Sequence, residues 1–201
     1  MRIFFQPVLI ILTVFPLWTY GQDTTVYHLD TTRSLIHWKC ANHRGTVHFF
    51  DGTLSMSGNK IVDGRVRANM RTIHDEDIEY ELMRKTLENI LKSPEFFDVK
   101  HYPYSFLNVD ITEKISDSTH RVWADLTVLG GDVCAKFTVT VSKADTAGVH
   151  LKTSVFTVDR TKWGIRLYSP SYQDNENNPQ GFEVPDEVEL WAELYFIVLK
   201  C

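Results

Sequence analysis

Arg65-Val66-Arg67-Ala68-Asn69-Met70-Arg71 decides the fold class, because its polar and apolar side chains alternate strictly. Successive side chains of a β-strand point to opposite faces of the sheet, so Val66, Ala68 and Met70 share one face. A period of two is typical of a strand that is buried on one face and exposed to solvent on the other. We therefore predict a strand whose inner face carries these three residues.

The same alternation recurs along most of the chain. It predicts further strands over Ser34 to Cys40, Thr46 to Met56, Tyr104 to Ile111, Arg121 to Leu129, Val133 to Val141, Val149 to Val158 and Glu187 to Val198. Turn signals such as Ser57-Gly58-Asn59 and Gly130-Gly131-Asp132 separate the strands. About eight strands with short connections imply an antiparallel meander, and we expect it to close into a β-barrel because closure leaves no unpaired edge.

One segment has helical periodicity. Between Ile78 and Lys92, apolar residues recur at spacings of three and four: Leu82, Met83, Leu87, Ile90 and Leu91. This spacing predicts an amphipathic helix that lies on the sheet or plugs it. The carboxylates of Asp75-Glu76-Asp77 precede the helix, and we interpret them as caps of its N-terminus rather than as a cation site.

The N-terminus resembles a secretory signal peptide. Arg2 precedes the apolar run Val8 to Phe15, which is too short to span a bilayer, and small residues precede a cut after Gly21. We expect residues 1–21 to be removed and residues 22–201 to form one domain in the periplasm or outside the cell. The alternative at this point is an uncleaved membrane anchor.

Composition argues against several classes of function. The formal net charge is −5 and no basic stripe is present, so we expect no nucleic-acid partner. Three cysteines, Cys40, Cys134 and Cys201, are too few for a disulfide scaffold. A bridge between Cys40 and Cys134 and a pair of buried free thiols are both open, since spacing alone does not supply the geometry.

The sequence contains no assembled catalytic or metal-binding constellation. It has no GxSxG elbow, so we expect no enzymatic activity and no catalytic residue. His37, His43 and His48 lie close in sequence but fit no metal-ligand pattern, and we expect neither a metal site nor a cofactor. Aromatic residues recur on nearly every predicted strand, and by periodicity alone they either fill a core or line a cavity.

Four segments together resemble the YceI-like family, whose members are known as polyisoprenoid-binding, lipocalin-like barrels of exported bacterial proteins. These segments are Tyr27 to Trp38, Leu87 to Pro103, Ala124 to Val133 and Phe156 to Ile165. The second is the most specific, because it reads Ser93-Pro94-Glu95-Phe96-Phe97-Asp98-Val99 and then Tyr102-Pro103. The resemblance implies a lumen that holds a long apolar chain.

On this resemblance we expect the following residues to bind the ligand: Trp38, Val66, Ala68, Met70, Phe106 and Phe137 from strands, Leu82 or Leu87 from the helix, and Arg160. Arg160 has two interpretations. It either forms an ion pair with Asp159 that fixes the following loop, which we favour, or it meets a charged head group of the ligand.

Three classes of function stay open from the sequence. The first, which we favour, is a carrier or store for a long-chain lipid of isoprenoid, quinone or fatty acid type. The second is a periplasmic redox partner of a membrane cytochrome, associated with quinone or haem. The third is a structural or stress protein with a filled core. Pairing of two barrels into a homodimer is an expectation that rests on analogy of fold.

Overall fold

The protein is described here by a computed structural model that covers residues 23–144, 148–172 and 183–199. The predicted signal peptide at residues 1–21 and Cys201 lie outside the described residues. Within the described residues, no helix is long and apolar enough to cross a membrane.

In the described part of the chain, eleven strands form one sheet. They are β1 Thr24–Leu29, β2 Leu35–Cys40, β3 His43–Ser57, β4 Lys60–Asn69, β5 His74–Asp75, β6 Tyr104–Lys114, β7 Thr119–Val128, β8 Gly131–Lys143, β9 Val149–Thr153, β10 Phe156–Asp159 and β11 Glu187–Ile197. One α-helix, α1, spans Glu81–Lys92. Short 3-10 helices span Met70–Thr72 and Arg160–Trp163.

The sheet closes into a ring. Strands β2, β3, β4, β6, β7, β8, β9 and β11 pair in that order, and β11 returns to pair with β2. Closure is visible in the register, where Leu190 lies opposite Trp38 on β2 and Leu194 lies opposite Leu151 on β9. The pairings around the ring are antiparallel. The predicted antiparallel β-barrel with one inserted helix is therefore confirmed.

The strand predicted over Val149 to Val158 is two strands instead. β9 pairs with β8 and with the second half of β11, whereas β10 pairs with the first half of β11. The break falls at Ser154, whose backbone N–H donates to the carbonyl of Thr138 at 2.8 Å and whose hydroxyl accepts from the Thr138 N–H at 3.2 Å. The Ser154 side chain thus replaces a ladder hydrogen bond, and the chain changes neighbours there.

The interpretation of Asp75-Glu76-Asp77 as helix caps is wrong. Helix α1 begins later, at Glu81, and its N-cap Tyr80 makes no side-chain capping hydrogen bond. Asp75 is fully buried and accepts hydrogen bonds from the backbone N–H groups of Asp77 and Ile78, at 3.1 and 2.8 Å. Its other oxygen lies 3.1 Å from Nδ1 of His43. Asp75 therefore fixes the loop before the helix to the β2–β3 hairpin.

The two ends of the barrel differ. At one end, which we call the mouth, lie the β2–β3 turn, the long connection from β4 to β6 that contains α1, and the described residues between β10 and β11, 160–172 and 183–186. At the other end, the floor, hairpins join β3 to β4 and β6 to β7. Floor-side residues of the core such as Ile61 and Phe196 are almost fully buried. The floor is therefore packed, and the long connections lie at the mouth.

His120 is a buried polar residue near the floor. It is 0% exposed, and neither ring nitrogen has a hydrogen-bond partner of good geometry. Burial lowers the pKa of His120, and the backbone of Asn59 opposes this only in part. The folded protein therefore holds this ring neutral.

We predict that His120 makes stability fall in mild acid. The unfolded chain takes up a proton near pH 6.5, whereas the folded chain takes it up only at lower pH, so the free energy of unfolding decreases below about pH 6.5 by up to about 1.4 kcal/mol per pH unit. Chemical denaturation of His120→Leu between neutral and acid pH should show a shallower pH dependence. His48→Leu, which changes an exposed histidine on β3, should keep the original dependence. Equal slopes for all three proteins would contradict this role.

Candidate functional site

The interior of the barrel contains two apolar cavities. The outer cavity, at the mouth, has a volume of about 390 Å³, and the inner cavity, toward the floor, about 130 Å³. The outer wall includes Trp38, Val47, Met70, Ile73, Leu87, Ile90, Phe96, Phe97, Val128 and Val188. The inner wall includes Phe49, Leu54, Ile61, Val66, Val122, Phe137, Leu151, Phe156 and Phe196.

The two cavities meet at a constriction. Five residues from five strands border both cavities: Ile36, Ala68, Ser105, Leu126 and Leu190. Ala68 lies opposite Ser105 in the β4–β6 ladder, so the two smallest members of the set are neighbours. The two cavities are therefore adjacent along the barrel, with these five residues between them.

Trp38 builds part of the outer wall. It is 8% exposed and lies opposite Gly45 in the β2–β3 ladder. A Cβ atom at position 45 would lie 1.9 Å from the carbonyl oxygen of His74 and 2.6 Å from the indole ring. Glycine is required there because the β5 backbone and the Trp38 ring both approach it closely.

Phe137 and Phe156 build part of the inner wall. Their rings are stacked with centroids 4.7 Å apart, within the range of favourable aromatic pairs. Phe137 comes from β8, and Phe156 comes from β10, which lies outside the ring order and pairs with β11. The stacked rings therefore bring β8 into contact with β10, the strand that follows the break at Ser154.

Helix α1 borders the mouth with one side only. Leu87, Ile90 and Leu91 line the outer cavity, so of the two predicted placements, on the sheet or as a plug, the helix is closer to a plug at the mouth. Leu82, one turn earlier, is 72% exposed and borders neither cavity. Of the two helical residues that were expected to bind the ligand, only Leu87 is placed to do so.

Phe106 meets the expectation only in part. It borders the inner cavity, but it sits opposite Arg67 and Thr127 in the ladders and is 38% exposed. Arg67 pairs with Asp51 on the outer face of the barrel. The ring of Phe106 therefore shares the outer face with Arg67, while the side chains of Ser105 and Leu107 on either side face inward, so Phe106 borders the cavity without pointing its ring into it.

Arg160 borders the outer cavity but its guanidinium group is occupied. It donates to the carbonyl oxygens of Pro185 at 3.0 Å, Ile165 at 3.0 Å, Leu167 at 3.0 Å and Val184 at 2.9 Å. Its carboxylate partner is Asp186, 3.5 Å away, and not Asp159 as expected from the sequence. Asp159 instead accepts hydrogen bonds from the backbone and the hydroxyl of Thr161.

The other polar candidates are dispersed. Cys40 borders the outer cavity, and burial raises the pKa of its thiol. Cys134 is exposed on β8, so the two cysteines are free and only partly fit the expectation of two buried thiols. His37 stacks on Trp191, whereas His43 pairs with Asp75. Within the described residues, no group of three His, Cys, Asp or Glu side chains is placed to hold a metal ion.

The structure thus places Trp38, Val66, Ala68, Met70, Leu87 and Phe137 on the cavity walls, and their binding of a ligand stays a prediction. Sequence reasoning missed most of the constriction, namely Ile36, Ser105, Leu126 and Leu190. The signal was present, since Ile36 lies two residues before Trp38 and therefore on the same face of its strand. Strand parity, applied outward from Trp38, would have found Ile36.

An antiparallel barrel with an apolar interior and a helix at its mouth defines the class of this protein as a lipocalin-like barrel. A family model described as the YceI-like domain matches residues 27–196, and the chain belongs to the YceI-like family. A search of curated proteins finds no match.

Two solved structures share this fold at low sequence identity. BcnA from Burkholderia cenocepacia superimposes with a TM-score of 0.66 at 17% identity, over 83% of this chain and 98% of that chain. A polyisoprenoid binding domain from Saccharophagus degradans, implicated in plant cell wall breakdown, superimposes with a TM-score of 0.60 at 12% identity, over 86% of this chain and 98% of that chain. At these identities, the two superpositions show that the proteins share a fold.

We predict that Arg160 stabilises the connection between β10 and β11, because it joins residues 165–167 to residues 184–186. Arg160→Met removes the donor to four carbonyls and the cation beside Asp186, which keeps its hydrogen bonds with Ser169 and Ser171, and should lower the free energy of unfolding by about 3 kcal/mol. Arg166→Met removes an exposed guanidinium that lies 4.2 Å from the Tyr172 ring, and should change it by less than about 1 kcal/mol. Urea denaturation measures both. An Arg160→Met protein as stable as the original would contradict the structural role.

Proposed function

We propose that the protein binds a long apolar ligand, of isoprenoid or similar type, with its chain in the barrel lumen, and transports or stores it. The observation that carries this proposal is the outer cavity of about 390 Å³, which is apolar and adjoins the inner cavity. Its volume falls in the usual range of ligand sites, about 300 to 1,000 Å³. A filled core would leave no such space, so this observation favours binding over a purely structural role.

The chemistry of the wall supports an apolar chain. Burial of apolar area contributes about 25 cal/mol per Å², and each methylene group that leaves water contributes about 0.8 kcal/mol. The polar groups near the outer cavity are largely engaged by the protein itself, as Arg160 is with four carbonyls. The wall therefore offers a chain mainly contact with aliphatic and aromatic side chains.

The relatives support an isoprenoid in particular. The solved structure from Saccharophagus degradans is described as a polyisoprenoid binding domain. Branched methyl groups of an isoprenoid chain fit between aromatic and aliphatic walls such as those of Phe137 and Leu151. A quinone with an isoprenoid tail and a fatty acid share this apolar character.

Binding without chemical conversion fits the site. Burial raises the pKa of the Cys40 thiol, which disfavours the reactive thiolate form. His43, which borders the outer cavity, pairs with Asp75 in a contact that holds a loop in place. We therefore propose no enzymatic activity.

We also propose that the protein is exported to the periplasm or secreted. The support is the N-terminal sequence, in which the apolar run Val8 to Phe15 follows Arg2 and precedes the small residue Gly21. The apolar ligand gives export a physical reason, because a long hydrocarbon chain needs a shield from water when it leaves a membrane.

Native mass spectrometry of the protein from its own host tests both proposals. We expect a bound species that organic solvent extracts and that has the mass of a lipid, on a chain that lacks residues 1–21. A quinone or haem mass would favour the redox alternative. Protein with no adduct that also fails to bind added prenyl or fatty acyl lipids would contradict the proposed function. An intact N-terminus would contradict cleavage of a signal peptide, and recovery of the protein from the cytoplasm would contradict export.

A bulky side chain in the outer cavity should weaken binding. Leu87→Trp places an indole where the chain would lie, and should reduce lipid affinity by roughly tenfold or more, equivalent to about 1.4 kcal/mol. Leu82→Trp makes the same change on the same helix at an exposed position, and should leave affinity within about twofold. Titration with a fluorescent fatty acid measures both. Equal affinities would argue that the ligand binds outside the lumen.

A further inference from the structure

The lumen has a closed inner end. Val122 lines the inner cavity, and His120 lies two residues further along the same face of β7, toward the floor. His120 is fully buried, as are Ile61 and Phe196 nearby in the wall of the inner cavity. An apolar chain that enters at the mouth therefore meets packed side chains after it passes through the inner cavity.

The volumes of the two cavities set how much chain fits. An engineered apolar cavity of about 150 Å³ in another protein binds one benzene, which corresponds to about 25 Å³ for each carbon. At this scale, the inner cavity of about 130 Å³ holds about five carbons, the size of one isoprene unit. The outer cavity of about 390 Å³ holds about 16 carbons, or three isoprene units.

We propose that a ligand tail passes between the residues of the constriction and fills both cavities, which gives the lumen a capacity of about 20 carbons or four isoprene units, and that Ala68 determines this limit. This inference rests on the proposed function and adds to it the length of the tail. A longer chain still binds, but its remaining units stay outside the cavities and gain no further burial.

Ala68 determines the limit because of its position. It borders both cavities, and it lies between Phe49 on β3 and Ser105 on β6 in the ladders of the wall. Its methyl side chain is the smallest apolar one at the constriction. A larger side chain here blocks the way from the outer cavity to the inner one, and the last isoprene unit then cannot enter the inner cavity.

A length series measures the capacity. The probes are all-trans prenyl monophosphates with two to six isoprene units, which share one head group, and their dissociation constants are measured by isothermal titration calorimetry below their aggregation threshold. We expect affinity to rise by about tenfold or more with each unit up to the fourth, because each unit buries further apolar area. The fifth and sixth units should change affinity by less than about threefold.

Two variants move the limit in opposite directions. Ala68→Leu should end the rise at the third unit, without weakening the two-unit probe by more than about twofold. Val139→Ala enlarges the inner cavity and should strengthen binding of the five-unit probe by several-fold relative to the original protein. Val62→Leu, on the same strand as Ala68 but 52% exposed, is the control and should leave the whole series unchanged.

The outcomes separate this inference from the function on which it rests. If affinity keeps rising tenfold per unit through the sixth unit, the capacity is wrong while lipid binding stands. If Ala68→Leu and the original protein level off at the same length, Ala68 does not set the limit. If no probe of any length binds the original protein, the proposed function itself is wrong. The length series on the original protein decides the capacity even if a variant does not fold.

Discussion

The pairing of β11 with both β2 and β9 is the constraint on which the rest of the structure depends. A sheet of this size left open would expose two rows of unpaired backbone groups, and closure satisfies them within the protein. β11 also pairs with β10 and with the end of β1, so one strand contacts four others. The last described strand of the chain therefore completes the wall that all the earlier strands begin.

Closure also decides how the interior is filled. Alternate side chains of every strand must point inward, and a ring of eight strands encloses only enough room for those side chains or a small ligand. Large rings such as Phe137, Phe156 and Phe196 lie in the inner half, whereas the small Ala68 and Ser105 stand at the constriction. The larger free volume is at the mouth, where the connections between strands are long and helix α1 contributes to the wall.

Period-two alternation was sufficient to predict the barrel and the inward face of β4, because in Arg65 to Arg71 every second residue is polar. It failed for Phe106, because Tyr104, Phe106 and Leu107 put apolar residues on both faces of β6. On the outer face, Tyr104 packs edge-on against Phe50 with ring centroids 4.8 Å apart. An apolar residue on the outer face removes the contrast that identifies the inner one.

Contacts between distant parts of the chain were beyond sequence reasoning. Arg160 was expected to pair with its neighbour Asp159, but the fold brings Asp186 and the carbonyls of 184 and 185 to it instead. In the same way, the division of one predicted strand at Ser154 follows from its hydrogen bonds to Thr138 on β8. Local pattern predicts which residues are strands, but only tertiary packing decides where a strand changes neighbours.

Because the floor is packed, a ligand would enter and leave the lumen only at the mouth. A chain that enters a space with one opening must leave by the same route, so the end that goes in first comes out last. In the proposed function, the hydrated polar end of a lipid would stay at the entrance and the hydrocarbon end would enter first. Hand-over to a membrane or another carrier would then begin with the polar end in contact with the acceptor, while the barrel still shields the tail from water.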